Sequence, residues 1–108
     1  MLSDVPNLAL SFGYINASWT LRAELTCKRV CEILLEMERK GHRRAVARVP
    51  AGMTPEPLMG LSSGYVRRAM EAWPKVTSRS PWRAPQNYFL DMANLALGDR
   101  REQALQMD

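Results

Sequence analysis

The sequence predicts a mostly α fold with a short strand, an α/β fragment rather than a closed sheet, and three observations carry that prediction. A short apolar run, Leu8-Ala-Leu-Ser-Phe, is bounded by Pro6-Asn7 and Gly13. A long amphipathic stretch follows and stops at Gly41. Two more helical patterns lie downstream, closed by Pro74 and Gly98.

The strand is expected over residues 8–12, because Leu8, Ala9, Leu10 and Phe12 form a run that wants neighbours on both faces. Val5-Pro6-Asn7 then reads as its run-in. After the turn at Gly13 a helix is expected over residues 17–40. Trp19, Ala23, Cys27, Val30, Leu34 and Met37 recur at three and four residues, which places them on one inward stripe. Arg22, Arg29, Glu32, Glu36, Arg39 and Lys40 mark the wet side, with Glu24 to Lys28 and Glu36 to Lys40 in the favourable order. Asn16 or Ser18 can cap the first turn, and Gly41 can adopt the left-handed conformation that ends the last.

Downstream, His42 to Val49 suggests a short extended piece, and His42 itself a surface residue just past a helix end. Pro50 to Gly60 holds too many prolines and glycines for helix or ladder. A second helix is expected over 64–72, capped by Ser62 or Ser63, with Tyr65, Ala69, Met70 and Trp73 inward. A third should begin at Pro85, run to Leu97, and turn Phe89, Met92, Ala93 and Ala96 inward. The organisation is thus a strand-and-helix unit at 1–44, a linker at 45–62, a helical cap at 63–98 and a frayed polar tail at 99–108.

At 108 residues, 46% hydrophobic and 24% charged, the chain fits one small domain with a thin core. No apolar run approaches the length of a membrane span and no signal-peptide pattern opens the chain, so a cytoplasmic protein is expected. Cys27 and Cys31 sit four apart on the long helix, without a second pair, and His42 is the single histidine. They read as small buried hydrophobes, and no metal site is expected.

The net charge of +4 directs attention to Arg67, Arg68, Lys75, Arg79 and Arg83, interleaved with Tyr65, Trp73 and Trp82. Basic residues beside aromatics can bind a single strand. The plainer reading is a solvated, partly salt-bridged surface over an aromatic core, with no nucleic acid as partner. No RNP, KH or helix-turn-helix pattern argues otherwise.

No Gly-x-Gly occurs, so no dinucleotide or phosphate-cradling loop can be built from these residues. There is also no metal cluster, and no catalytic residue is assigned. What remains is the turn from Gly13 to Trp19. A glycine there permits close backbone approach, and a helix N-terminus favours an electron-rich or anionic group.

The stretch from Leu2 to Leu21 resembles the C-terminal FAD-domain segment of flavin-containing monooxygenases of the Baeyer–Villiger type, in particular the ethionamide-activating monooxygenases of mycobacteria and their relatives. A second, ordered match joins Ser63-Gly-Tyr-Val-Arg-Arg-Ala, Pro74-Lys, Ser78-Arg-Ser-Pro-Trp-Arg and Gln86-Asn-Tyr to the same enzymes' tail. The departures are Ile15, where a small polar residue is usual, and Val76-Thr77, where Gln-Gly is usual. The resemblance implies the C-terminal part of a two-dinucleotide-binding-domain flavoprotein fold. It implies that Asn16, Ala17, Ser18 and Trp19 line the flavin's pyrimidine side, mostly through backbone N–H groups. It further implies a parent that uses FAD and NADPH to insert oxygen beside a ketone carbonyl or onto a sulfur.

Met1 falls where the parent would have an internal methionine, so the chain is expected to be a C-terminal fragment or a truncated reading frame. Its partner is then the remainder of the flavoprotein, with the FAD and NADPH domains. Phe12, Trp19, Val30, Leu34 and Met37 would pack under the parent's sheet, a burial worth on the order of 10 kcal/mol. Alone, the chain is expected to be marginally folded or to self-associate through exposed apolar surface, and to bind no cofactor. The rival reading is a free-standing basic helical module that binds nucleic acid or a protein partner. The two differ in a salt titration: any DNA or RNA binding should be weak and vanish between low and physiological salt. Submicromolar, sequence-dependent binding at physiological salt, read by fluorescence anisotropy, would establish the module instead.

Overall fold

The structure, a computed structural model, describes residues 2–57, 64–69, 72–78, 82, 83, 85–96 and 104–108. It divides into two compact units, one formed by residues up to Val49 with Pro85–Asp108 and the other by Pro50–Ala84.

The first unit is built on α1 (Trp19–Lys40). The helix ends as its sequence dictates: Gly41 takes φ 70° and ψ 20°. Its N–H reaches the Glu38 carbonyl at 3.3 Å and the His42 N–H reaches the Met37 carbonyl at 2.9 Å, which satisfies two of the last orphan acceptors. Arg39 and Lys40 in the last turn complement the negative end of the helix dipole. At the other end Ser18 is the capping residue by position, but its side chain makes no cap hydrogen bond and pairs with the Thr20 hydroxyl at 2.8 Å instead.

The covered face of α1 differs from the expected stripe. Leu25, Ile33 and Met37 are the buried residues, while Trp19 and Leu34 are 59% and 57% exposed and both cysteines are exposed. At about 100° per residue the buried arc lies roughly a quarter turn from the predicted one, sharing with it Met37 and the half-buried Ala23 and Val30. The reason is what meets the helix. A helix buries the face that finds a partner, and here the partners are α3 (Tyr88–Ala96) and a strand pair, β1 (Ala45–Ala47) with β4 (Leu105–Met107). Cys27 and Cys31 are therefore not the buried hydrophobes that the sequence suggests.

β1 and β4 are antiparallel, with Val46 opposite Gln106. Ile33, Met37, Ala45 and Leu105 form a buried cluster, with Met107 packed beside it. The terminal segment thus supplies a strand where a frayed tail is predicted; residues 97–103 lie outside the described residues. Arg44 grips the Asp108 carboxylate through two hydrogen bonds of 2.7 and 2.6 Å, which holds that carboxyl below its ordinary range. The other edge of β1 is occupied as well. The Asp4 N–H reaches the Ala47 carbonyl and the Asn7 N–H the Ala45 carbonyl, each at 2.9 Å. Asp4 and Asn7 take φ of 62° and 56°, conformations their short polar side chains tolerate, so residues 3–7 turn beside β1 rather than lead into a strand.

Residues 8–12, the predicted strand, form no ladder. A strand needs a neighbour to satisfy its backbone, and among the described residues none lies alongside. α3 is shorter than predicted and starts at Tyr88 rather than Pro85, because Asn87 caps it, accepting the Leu90 N–H at 3.1 Å. Its expected inward face is also turned outward: Phe89 is 73% exposed and Met92, Ala93 and Ala96 are exposed. Tyr88, Asp91, Asn94 and Leu95 are the half-buried positions.

The second unit holds α2 (Gly64–Ala69) and a two-residue ladder of β2 (Glu56–Pro57) on β3 (Lys75–Val76). A ladder at Pro57 corrects the expectation that this proline-rich stretch forms none, and the pairing is antiparallel. Ala69 and Trp73 are half-buried as predicted, whereas Tyr65 is 74% exposed and so is no part of an aromatic core beneath the basic residues. The caps Ser62 and Ser63, together with Met70 and Arg79, lie outside the described residues.

The β1/β4 arrangement has a measurable consequence. Leu105→Ala should lower unfolding free energy by about 2–3 kcal/mol through lost burial and a cavity beside Ile33 and Met37. Leu35→Ala, at a 60% exposed site, should stay within about 0.5 kcal/mol. Urea midpoints of the two variants check the contrast.

Candidate functional site

The turn from Gly13 to Trp19 is the place the sequence singles out, and its geometry starts with Gly13. A Cβ on that residue would lie 2.2 Å from Cγ, 2.4 Å from Cδ2 and 2.6 Å from Cα of Trp19. The close approach that glycine permits is therefore to the first residue of α1. Ser18 sits at φ −59° and ψ 129°, outside the helix, so the chain enters α1 directly from an extended residue. No acidic side chain occupies the first turn.

Asn16, Ala17, Ser18 and Trp19 are all exposed, so the structure brings the four predicted site residues together on one open turn. The residues that anchor this turn escape sequence reasoning. Tyr14, 2% exposed, is the largest fully buried side chain of the described residues. Its hydroxyl donates to Asp91 Oδ2 on α3 at 2.7 Å. Arg22, at the end of the first turn of α1, lies with its guanidinium 5.4 Å from the Tyr14 ring centroid and its Nε 3.5 Å from the same Asp91 oxygen. One residue further along the turn, the Ile15 N–H donates to Gln86 Oε1 at 2.9 Å. The sequence puts Arg22 on the wet side of α1, and in fact its side chain is 19% exposed, against 15% for Asp91. No local signal in the sequence ties Asp91 to Tyr14.

Beyond the turn, a groove of about 520 Å³ runs between residues 7–9 and α1, lined by Leu8, Ala9, Val30, Ile33, Leu34 and Met37, with His42 and Arg43 at its edge. No cluster among the described residues could hold a metal ion, and no helix among them is long and apolar enough to cross a membrane.

Burial, and secondly the hydrogen bond to the Asp91 carboxylate, push the Tyr14 hydroxyl from 10.0 up to about 12, with the nearby Arg22 opposing and Tyr88 adding to the shift. A raised pKa in the folded chain means that the stability this group contributes is complete below the unfolded value and is lost as pH climbs through the folded one. Urea midpoints of the wild type should therefore fall between about pH 10 and about pH 12, and Tyr14→Phe should lack that component of the fall.

The chain is similar to several enzymes. It is 43% identical over 106 residues to the "FAD-containing monooxygenase EthA" of Mycolicibacterium smegmatis, a match covering 97% of this chain and 22% of that protein. The protein of the same name from Mycobacterium tuberculosis is 41% identical over the same coverage. The "Probable FAD-binding monooxygenase AlmA" of Acinetobacter baylyi is 38% identical over 96 residues, 84% of this chain and 19% of the relative. No protein-family model matches the chain, and no solved structure matches it. The chain spans about a fifth of the length of these relatives. Along nearly all of its length, this chain is homologous to one segment of the FAD-containing monooxygenases.

Proposed function

We propose that this chain is the C-terminal part of an FAD- and NADPH-dependent monooxygenase and supplies one wall of its flavin site. The observation that carries this reading is similarity along 97% of the chain to FAD-containing monooxygenases of which it spans 22%. The partner is then the remainder of the flavoprotein, with its FAD and NADPH domains. The two-dinucleotide-binding-domain fold belongs to the assembled enzyme.

The turn suits such a role chemically. The first N–H groups of a helix have no intrahelical acceptor, Ser18 does not cap them, and no acid competes in the first turn. Asn16, Ala17, Ser18 and Trp19 would face the pyrimidine edge of the flavin, where reduction places negative charge that a helix N-terminus stabilises. Bound FAD would supply the redox chemistry for inserting oxygen beside a ketone carbonyl or onto a sulfur. This chain's share is to orient the ring edge and to keep water from it.

Two further features support a missing partner. Trp19, Leu34 and Leu35 are more than half exposed on a helix with an apolar stripe, and the groove beside residues 7–9 leaves Leu8, at 40% exposure, open. A surface of that kind costs solubility unless something covers it. The pyrophosphate of FAD finds no glycine loop here, so the turn offers a few hydrogen bonds to a ring with no anchor.

Two measurements test the reading. Titrating FAD into the isolated chain should leave flavin fluorescence unquenched, and NADPH should not be oxidised; saturable, stoichiometric binding would overturn the account. Co-expressing the chain with M. smegmatis EthA lacking the homologous segment should yield a complex that retains FAD, and failure of the two pieces to co-purify would count against it.

A further inference from the structure

Two of the three residues that hold residues 15–18 in place lie far from them in sequence. We infer that Tyr14, Gln86 and Asp91 are positioning residues, through which the segment leading into α3 holds residues 15–18 in place against the start of α1. The inference rests on the proposed role of that turn for its functional meaning, but its geometry stands apart from it.

Two consecutive residues, Tyr14 and Ile15, are each tied across more than seventy positions of chain to one short stretch. The ties differ in kind. Ile15 is held by its backbone N–H on Gln86 Oε1, which sets where the main chain runs just before Asn16. Tyr14 is held by its side chain, with the ring buried, the hydroxyl on Asp91 Oδ2, and Arg22 bringing a positive charge to both the ring and the carboxylate. One Asp91 oxygen therefore accepts from Tyr14, just ahead of residues 15–18, and is ion-paired at 3.5 Å with Arg22 on the helix that follows them. That oxygen fixes the approach of the chain and the rotation of α1 about its own axis together. A side chain whose only task was to fill space would need neither the shared acceptor nor the paired backbone contact one residue away.

Hydrogen exchange at single amides of the 108-residue chain, read by NMR, tests this. The Ile15 amide reports the turn, and the Ile33 amide in mid-α1 reports global stability. Asp91→Ala should speed exchange at Ile15 roughly tenfold and leave Ile33 unchanged. Asp91→Asn, whose amide oxygen can still accept the Tyr14 hydroxyl, should restore protection at Ile15. Tyr14→Phe, which keeps the ring and loses the hydroxyl, serves as a second variant and should behave as Asp91→Ala does. Gln86→Ala should expose Ile15 most of all. If Ile15 exchanges as in the wild type when Asp91 is alanine, or if Ile15 and Ile33 accelerate together in both Asp91→Ala and Tyr14→Phe, the residues are ordinary packing and the inference falls. Because no flavin enters these measurements, they fail independently of the co-purification experiment.

Discussion

An amphipathic helix can bury only as much apolar surface as the chain offers it in return, and that constraint governs this structure. α1 carries apolar residues around more than half its circumference. The chain meets it on one side with α3 and on another with the β1/β4 pair, and Leu25, Ile33 and Met37 are what those two contacts cover. Trp19, Cys27, Cys31, Leu34 and Leu35 face outward. Everything else follows from that allocation. β1 must be flanked on both edges to be buried at all, which draws in residues 3–7 on one edge and 105–107 on the other. The 8–12 run joins no ladder among the described residues.

What the sequence makes legible is the punctuation of helices. Gly41 ends α1 where its pattern stops, because a left-handed residue is a local requirement that glycine meets without a Cβ penalty. The existence of the three helices found among the described residues, and of an extended piece at Ala45–Ala47, is likewise local information, carried by periodicity and by bounding glycines and prolines. The opposite holds for faces. Which side of α1 or α3 is covered depends on a second surface, and the periodicity of Trp19, Ala23, Cys27 and Leu34 describes the apolar stripe without saying what is present to meet it. On the reading of this chain as one segment of a larger flavoprotein, the stripe is addressed to a partner outside it.

The site divides in the same way. Asn16 to Trp19 could be named from the sequence because a glycine followed by a helix start is a local pattern. Tyr14, Gln86 and Asp91 could not, since their relation is a tertiary one across the chain. The terminal strand was hidden for a further reason: Leu105-Gln-Met is short and polar at its centre, and its order comes from Arg44 and the backbone of β1 rather than from its own composition.

The contact between Gly13 and Trp19 carries a consequence for how these positions can vary. With a Cβ at 13 falling within 2.6 Å of both the indole and its backbone, the two residues occupy what is in effect a single volume. Swinging the ring aside would clear the indole atoms but not the Trp19 Cα, so even alanine at 13 demands that the first turn of α1 shift bodily. A larger residue at 13 cannot be traded against a smaller one at 19, as it can in most packed pairs. The two sites are asymmetric: 19 is open to substitution in size, while 13 is closed, and the entry angle of the helix is written into the absence of one carbon atom.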